Sequence, residues 1–431
     1  MTSRSKDFLN SAEAAELLHI RRQTLYAYVS RGLVRSVRAG GARERLYARA
    51  DLERLLQRAQ VQGGQAAVAA SALNLGHPMV PTSITEITPK GPSYRGRLAL
   101  ELAEQGASFE HTAELLWSGL WHEEPVVWRA PELPPALGTL LGQLTPAMAQ
   151  EQIAEVLAMA VLQLGLGRGS AAARLMHGHP LEAARELVLT LAGCLGVLGQ
   201  AGRFVRPAPG ASVAMAALQA LGRPGSADDV ALLNAMLVLL ADHELSPGTF
   251  AARIAASSAS PLHACLAAAL AASAGTEVTR RYQRVEMLLS RASSGAGAGA
   301  EGGSVHSHLG QRVAAGQAVP GFEHPLYPQG DPRAAWLLAR LRRRPHLPPA
   351  AAQALAWVDE VGQRHALHPR HELAVIATCH ALRCPPGSAA ALFLLARLAG
   401  WVAHVLEQRL SPQLIRPRAK FVAAKAGELE G

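Results

Sequence analysis

Aromatic and charged residues are scarce in this sequence of 431 residues. Phe, Trp and Tyr together make up 4% and Asp, Glu, Lys and Arg make up 17%, whereas 49% of the residues are hydrophobic. The apolar content is therefore mostly Ala, Leu and Val, a mixture that favours long helices over packed sheets. This composition excludes a disordered chain and argues against an all-β fold, and the length suggests two or three domains.

Cysteine is also rare, and its spacing excludes two kinds of site. The four cysteines show neither C-x-x-C spacing nor the density of a disulfide framework. We therefore expect buried thiols in a reducing compartment, with no bound metal. The four are Cys194, Cys265, Cys379 and Cys384.

The apolar runs of the sequence are too short to cross a membrane. Runs such as Leu187–Leu198 fall short of the ~20 residues that span a bilayer. The N-terminus is polar and basic and lacks the apolar core of a signal peptide. The sequence predicts a cytoplasmic protein that does not contact a membrane.

The positive charge is concentrated at one end of the chain. The formal net charge is +9, and residues 1–58 contain twelve Lys and Arg against six Asp and Glu. Two thirds of the excess therefore lies in the first seventh of the sequence, and the remainder is nearly neutral. This asymmetry predicts a small polyanion-binding module ahead of a larger body.

Residues 8–58 show an ordered series of short helix and strand patterns with capping residues between them. The predicted elements are a helix starting at Asn10 or Ser11 with Glu13 in a capping position, a helix over Gln23–Ser30 ended by Gly32, two strands around Gly40-Gly41, and a helix over Leu52–Arg58 capped by Asp51.

This order of elements resembles the winged helix–turn–helix domain of MerR-like and excisionase-type DNA-binding proteins. The resemblance implies double-stranded DNA as the partner of residues 1–58, bound by a recognition helix and by a basic wing. Leu25 and Tyr26 are instead expected in the core. The alternative is a protein-interaction domain with a solvated basic face. The implied DNA contacts are Arg22, Gln23, Thr24 and Tyr28 on the helix and Arg35, Arg38, Arg43 and Arg45 on the wing.

The rest of the chain divides into a linker and a helical body. Residues 59–72 lack hydrophobic periodicity and contain Gly63-Gly64, which predicts a linker. Beyond them, residues 73–431 are mostly compatible with helix. Five segments of this body resemble motifs of a known protein family. The segments are PTSITEITPKGPSYRGRLALELAE (81–104), SFEHTAELLWSGLW (108–121), ADHELSPGTFAARIAASS (241–258), VPGFEHPLYPQGDPRA (319–334) and LARLAGWVAHVLEQ…LIRPRAKF (395–421).

Taken in this order, the five segments resemble the citrate synthase family over about residues 77–425. The resemblance implies a mainly α fold with a large helical domain (about 73–272 and 385–431) and a small one (about 273–384), and a homodimer. It also implies a Claisen-type condensation of a short acyl-CoA with a 2-oxo diacid. In that reaction a carboxylate removes an acyl proton, one His stabilises the enol and another polarises the ketone.

Several residues take their expected roles from this resemblance. His324 would be the ketone-polarising His, and Arg333 and Arg397 would bind substrate carboxylates through planar guanidinium groups. An internal ion pair is the alternative for Arg397. Acetyl-CoA or propionyl-CoA would be the acyl substrate, and no tightly bound cofactor is implied. Further expected residues are His243 in the same pocket, Val319, Pro320, Gly321 and Phe322 beside the coenzyme A, and Arg416 reaching the site of the partner subunit.

Departures from the family motifs fall on the residues that carry the chemistry. The family's Gly-Pro-Leu-His-Gly-Gly-Ala aligns with residues 275–281, so Val278 takes the place of the enol-stabilising His. Losing one such donor costs about 10²–10³ in rate. Glu372 replaces the catalytic Asp, with a longer stem, and Glu323 replaces a glycine and is expected to place negative charge in the substrate's path. His371 is considered as a displaced catalytic group.

Two other features have simpler explanations than a binding site. Gly297–Gly302 matches G-x-G-x-x-G, but no strand precedes it, so the segment is interpreted as a loop. His306 and His308 lack an evident third ligand and are interpreted as solvent-exposed.

The sequence thus supports several hypotheses. The preferred one is a citrate synthase-family protein, fused to a DNA-binding domain, whose condensation activity is impaired. The alternatives are a transcriptional regulator that senses a small carboxylate with a degenerate body, and a fully active citrate or 2-methylcitrate synthase. A heteromeric assembly with an active relative is a further hypothesis.

Overall fold

The computed structural model describes residues 8–18, 20, 22–30, 34–38, 45–49, 51–53, 55, 80–129, 132–133, 135–166, 180–199, 203–223, 225–275, 277–293, 305–315, 317–411 and 413–416. These residues form a mainly helical protein with two small antiparallel sheets. The predicted linker 59–72 and the Gly297–Gly302 segment lie outside the described residues.

The N-terminal module has the predicted order of helices and strands. Asn10 caps the first helix, and Glu13 returns a hydrogen bond to the Asn10 backbone, as the capping signature predicts. The two predicted strands pair antiparallel, and Phe8–Leu9 adds a third strand that the sequence analysis did not predict. The elements are β1 (Phe8–Leu9), α1 (Ser11–Leu17), α2 (Arg22–Ser30), β2 (Ser36–Arg38) and β3 (Arg45–Ala48).

Tyr26 and Tyr28 lie in the opposite environments from those expected. Tyr26 is 49% exposed, whereas Tyr28 packs against the module's apolar core around the fully buried Leu25. The reason is helical geometry, because Tyr28 follows Leu25 by three residues and shares its face, while Tyr26 is turned about 100° away.

The body begins with a small sheet and continues as packed helices. The strands are β4 (Thr85–Thr88), β5 (Gly91–Tyr94) and β6 (Arg97–Leu98), paired in that order. The helices are α3 (Ala99–Glu104), α4 (Phe109–Ser118), α5 (Pro135–Gly142), α6 (Pro146–Glu151), α7 (Ile153–Leu166), α8 (Pro180–Cys194, followed by a 3₁₀ turn over Leu195–Val197), α9 (Val213–Ala220), α10 (Ala227–Leu240), α11 (Pro247–Ser257), α12 (Leu262–Ser273), α13 (Thr279–Ser293), α14 (Val305–Ala314), α15 (Pro332–Arg342), α16 (Pro349–His365), α17 (His371–Ala381) and α18 (Ser388–Arg409).

Helix α18 is the central helix of the body. It packs against α4, α10, α11 and α12. Its length and its mean hydropathy of 1.8 would allow it to cross a membrane, but 94% of that stretch is buried inside the protein. These contacts are those of a core helix.

A buried polar network fixes α18 against its neighbours. Trp117 Nε1 donates to the Ala399 carbonyl at 2.8 Å. Arg253 Nη1 lies 2.8 Å from Glu407 Oε2 and also donates to His404 Nδ1. Because buried charges are tolerated only when paired, these contacts hold α18 in one position along its axis.

Candidate functional site

Four helices begin around one cavity of about 360 Å³. They are α11, α13, α15 and α17. Because the first backbone N–H groups of a helix carry partial positive charge, this arrangement favours a bound anion. The lining residues are His243, Ser246, Pro247, Gly248, Ser273, Glu277, Val278, Arg281, Tyr282, His324, Pro325, Leu326, Arg333, Arg370, His371, Glu372, Phe393, Arg397 and Trp401.

The cavity contains most of the site residues that the sequence predicts. His243, Val278 and His324 line it, although they are far apart along the chain. Arg333, Arg397 and Glu372 line it as well. Its side chains include four arginines and two glutamates, so the lining itself is net positive.

His324 lines the cavity, and its backbone contact defines the tautomer of the ring. The Leu326 backbone N–H donates to His324 Nδ1 at 3.1 Å, so Nδ1 carries no proton. Burial and the nearby Arg333 lower the pKa of His324 to about 3, which keeps the ring neutral. A neutral imidazole with an unprotonated Nδ1 has its proton on Nε2 and is a donor there. His324 can therefore donate a hydrogen bond to a ligand oxygen.

His243 lies beside His324, with ring centroids 5.3 Å apart. Its Nε2 is 3.1 Å from the Tyr327 hydroxyl. Burial, followed by the charge of Arg333, lowers the pKa of His243 well below its ordinary value. The cavity thus combines neutral imidazoles with fixed guanidinium charges.

Arg333 is held in place by Asp331. Its Nε and Nη2 donate to the two carboxylate oxygens at 2.9 and 2.8 Å, and Asp331 also caps α15. Burial lowers the pKa of Arg333, but the charge of Asp331 outweighs this effect and raises it. Arg333 is therefore a permanent cation in the cavity wall.

The ligand atoms of His324, Asp331 and His371 lie within 4.8 Å of one another, which is close enough for a metal site. However, Arg333 Nη2 donates to Asp331 and lies 3.2 Å from His371 Nδ1. Positive charge already occupies this position, so the group is poorly suited to a second cation.

Arg397 is also fixed by polar partners. Its Nη2 donates to Ser246 Oγ at 2.9 Å and lies 3.8 Å from Asp242 Oδ1. Burial opposes ionisation of Asp242, but His404 and Arg397 outweigh it and lower its pKa to about 2. Arg397 therefore has the internal ion pair considered in the sequence analysis and still lines the cavity.

The segment that lacks the expected histidine introduces an arginine instead. Val278 lines the cavity, and Arg281 follows it in the first turn of α13. Arg281 Nη1 lies 3.4 Å from Glu372 Oε1, and Arg370 Nε lies 3.2 Å from Glu372 Oε2. Burial would raise the pKa of Glu372, but His371, Arg370 and Arg281 lower it overall. Glu372 is therefore an ionised carboxylate between two guanidinium groups.

Glu323 does not enter the cavity, contrary to the expectation. Its Oε1 accepts from the His368 backbone N–H at 2.7 Å, and its own N–H donates to the His368 carbonyl at 2.9 Å. Its φ of 52° explains why a glycine suits this position. The carboxylate therefore ties two loops together at the rim.

The residues expected beside coenzyme A lie next to the cavity and do not line it. Val319 and Phe322 are buried, and Phe322 forms a bridge to Pro369. Gly321 has a φ of 82°, and its carbonyl accepts from the Arg370 N–H at 2.8 Å. Pro320 lies between these residues. Arg416 is exposed and lies outside the cavity of its own chain.

In the N-terminal module, three of the expected DNA contacts are exposed. These are Arg22, Gln23 and Arg45, while Thr24 is half-buried. Tyr28 packs inward, and its place on the exposed face of α2 is taken by Tyr26.

Arg35 is bound inside the protein and is not a free wing cation. Its Nε and Nη2 each donate to Asp51 at 2.6 Å, and the side chain is 9% exposed. Its Nη1 also donates to the Trp117 carbonyl of α4, at 3.4 Å. The buried Asp51 carboxylate explains this position, because it requires a cationic partner. The Arg38 side chain, the whole of Arg43 and the side chains of His306 and His308 lie outside the described residues.

A comparison with protein families decides the assignment of the body. Residues 74–418 match the model of the C-terminal domain of citrate synthase. The chain belongs to the citrate synthase family. Residues 8–60 match a helix–turn–helix domain. The body is thus a citrate synthase-family domain preceded by a helix–turn–helix domain.

Individual relatives agree with this assignment. Citrate synthase 2 of Bacillus subtilis is 28% identical over 203 residues, which are 46% of this chain and 53% of that protein. The 2-methylcitrate synthase of Shewanella oneidensis is 26% identical over 209 residues, which are 47% and 52% of the two chains. The chain therefore spans about half the length of the curated relatives it matches.

Solved structures show the same fold. A citrate synthase from the archaeon Thermoplasma acidophilum, solved with carboxymethyl coenzyme A and oxaloacetate, gives a TM-score of 0.67 at 21% identity. The alignment covers 83% of this chain and 96% of that one. At 21% identity, this similarity shows a shared fold and nothing further.

Several cavity residues were not predicted from the sequence. Arg281, Arg370 and Tyr282 line the cavity, but none belongs to the part of a family motif that is assigned a role. Arg281 could have been predicted, because it is a charged residue at a position where the aligned family motif has a small one. Nothing in the sequence pairs Arg281 with Glu372, because 91 residues separate them.

Proposed function

We propose that this protein binds a small dicarboxylate in its citrate synthase-family domain, that its condensation activity is impaired, and that its N-terminal domain binds DNA. The carrying observation is the pairing of Glu372 with Arg281 and Arg370 beside Val278. In this arrangement two guanidinium groups contact the Glu372 carboxylate, and the side chain at position 278 cannot donate a hydrogen bond to an enol.

Dicarboxylate binding is supported by the fixed cations of the cavity. Arg333 and Arg397 are each held by a buried carboxylate and by hydrogen bonds, so little side-chain freedom is lost when a ligand binds. Guanidinium groups match carboxylates in geometry as well as charge. His324 Nε2 adds a neutral donor for a third ligand oxygen.

Impaired condensation is supported by the state of the remaining carboxylate. A base that removes an acyl proton must reach the carbon with a free oxygen. Glu372 has one oxygen near Arg281 and the other near Arg370, and both cations stabilise its ionised form and weaken it as a base. Val278 adds a loss of about 10²–10³ in rate.

The exposed Arg22, Gln23, Tyr26 and Arg45 support DNA binding by the N-terminal domain. They combine cations for phosphate contacts with polar and aromatic side chains, three of them on α2 and one on β3. The proposal includes a homodimer, in which the exposed Arg416 reaches the partner subunit, and a cytoplasmic location, where thiols stay reduced. If ligand binding in the citrate synthase-family domain changes DNA binding by the N-terminal domain, the protein is a ligand-dependent regulator.

Two measurements on the full chain test the proposal. Calorimetry with succinate or oxaloacetate is expected to show binding that falls when Arg397 is changed. Coenzyme A release from acetyl-CoA or propionyl-CoA with oxaloacetate is expected at least ~100-fold below that of ordinary citrate synthases. Turnover within tenfold of those enzymes would favour the active alternative, in which the neutral His324 and the ionised Glu372 still work together.

A further inference from the structure

Two of the free cysteines meet in the turn that ends helix α17. The turn is a Schellman motif, with Arg383 in the left-handed region at a φ of 54°. The Arg383 N–H donates to the His380 carbonyl at 3.1 Å, and the Cys384 N–H donates to the Cys379 carbonyl at 2.9 Å. This motif commonly brings together the side chains of the two residues that the longer-range bond joins. Here both of those residues are cysteines.

The distance between these cysteines suits a disulfide. Their 2.9 Å backbone hydrogen bond keeps the two Cα atoms within about 7 Å, the limit beyond which a disulfide requires backbone movement. The two thiols are also in hydrogen-bond contact. This contact with Cys384, followed by burial, raises the pKa of Cys379 well above its ordinary value. The two side chains therefore point towards each other.

The cysteines differ in their access to solvent. Cys379 is buried and its raised pKa keeps it protonated, whereas Cys384 is half-buried. Reactive thiols are partly exposed, so a small oxidant reaches Cys384 first. The other two cysteines, Cys194 and Cys265, are fully buried, and burial raises their pKa values to about 12 and about 11. They are therefore expected to be inert.

We infer that Cys379 and Cys384 form a reversible disulfide in the presence of hydrogen peroxide, which makes the end of α17 an oxidation site. The Cys384 sulfur attacks one peroxide oxygen and the O–O bond breaks, which leaves a sulfenic acid and one water. The Cys379 sulfur then attacks this sulfur, the S–O bond breaks, and hydroxide leaves with the Cys379 proton as a second water. The two thiols together lose two electrons and two protons, and one peroxide is reduced to two waters.

The oxidation site lies between two helices of the cavity. Helix α17 begins at the cavity with His371 and Glu372 and ends at this turn. The chain then enters α18 at Ser388, and α18 carries Arg397. Disulfides that form in a reducing compartment are usually transient and sense the redox state, which agrees with a reversible pair. The inference does not depend on which ligand the cavity binds.

Peptide mapping of the full-length protein tests this inference. Trypsin cleaves after Arg370, Arg383 and Arg397, so the two cysteines fall in the separate peptides 371–383 and 384–397. After treatment with hydrogen peroxide and blocking of free thiols, mass spectrometry is expected to find these peptides joined. Dithiothreitol should separate them. The number of thiols titrated in denaturant should fall from four to two and return to four on reduction.

Single variants separate the roles of the two thiols. Cys384→Ser should lose the joined peptides and leave the buried Cys379 unmodified. Cys379→Ser should leave a sulfenic acid on Cys384 that dimedone captures, because the second thiol is absent. Cys265→Ser is the matched control, since it removes a buried thiol elsewhere and should keep the joined peptides.

Three results would overturn the inference. One is a thiol count that stays at four after peroxide treatment. Another is oxidation of Cys384 to sulfinic acid while the two peptides remain separate. The third is a disulfide between the Cys384 residues of two copies of the chain, which a non-reducing gel would show as a dimer.

Discussion

The guanidinium of Arg281 lies 3.4 Å from the carboxylate of Glu372, between Nη1 and Oε1. The same guanidinium pairs with Glu277 at 2.7 Å through Nη2. Arg281 lies in the segment in which the family resemblance implies a histidine at the position of Val278, and the same resemblance implies an aspartate at the position of Glu372. Two departures that are separate in the sequence therefore form one structural unit, in which the incoming arginine binds the remaining carboxylate.

The first prediction concerns repair of the condensation site. Val278→His with Glu372→Asp is expected to raise coenzyme A release, and adding Arg281→Ala is expected to raise it further, because one of the two cations beside the new aspartate is then removed. The donor at position 278 should contribute about 10²–10³ in rate. The measurement is coenzyme A release with oxaloacetate. Adding His324→Ala should abolish the gain, and no gain in the triple variant would mean that more of the site is lost.

The second prediction concerns pH. His371, Arg370 and Arg281 outweigh burial and hold the pKa of Glu372 below its ordinary 4.5. A depressed carboxylate pKa stabilises the fold above the unfolded-state pKa, and this stability is lost as the pH falls through the folded-state pKa. The Tm of the unaltered protein should exceed that of Glu372→Gln at pH 7, and the difference should shrink below about pH 4.5.

Thermal unfolding of both proteins from pH 7 to pH 3 measures this difference. Glu101→Gln, on the exposed surface of α3, controls for the loss of one negative charge. A difference that stays constant down to pH 3 would contradict the assigned pairing of Glu372.

The third prediction separates the arginines of the N-terminal module. Arg35→Ala removes one member of a buried ion pair, a change that costs about 3–5 kcal/mol. Arg49→Ala is the matched control, because its pair with Glu53 is exposed and worth about 0–1 kcal/mol. Hydrogen exchange of peptides from residues 8–55 in the full chain should accelerate for Arg35→Ala only. Equal protection in both variants would argue against a structural role for Arg35.

The fourth prediction concerns DNA. Arg22→Ala and Arg45→Ala should weaken duplex binding and lower the slope of log K against log salt by about one each, as expected for lost phosphate contacts. Tyr26→Ala should weaken binding at an unchanged Tm, whereas Tyr28→Ala should lower the Tm, because Tyr28 packs on the core. Binding that is unaffected by salt would support the protein-interaction alternative.

The fifth prediction concerns Arg397. Arg397→Lys keeps the positive charge beside Asp242 but loses the planar fork. Dicarboxylate binding should weaken about tenfold, since one charge-assisted hydrogen bond is lost. Calorimetry measures the effect, with Arg206→Lys, a residue outside the cavity, as the control. An unchanged Kd would mean that Arg397 serves the ion pair alone.

Local patterns predicted much of the fold. The capping box at Asn10 and the hairpin of β2 and β3 depend on neighbouring residues, so composition and spacing were sufficient to find them. The position of Tyr26 was predicted wrongly, because hydrophobicity alone does not tell which helix face meets the core. The strand Phe8–Leu9 was missed, since two residues carry no periodicity of their own.

The sequence by itself determined the family and the helical class, and it predicts the loss of a donor at position 278, since these depend on residue identity and order. The tertiary structure alone decided how the replaced residues interact. It turned Glu323 away from the cavity and buried Arg35 against Asp51. It also brought Arg281 to Glu372 across 91 residues of chain. Such contacts depend on distance and burial in space, because a charge removed from water must find a partner wherever the fold provides one.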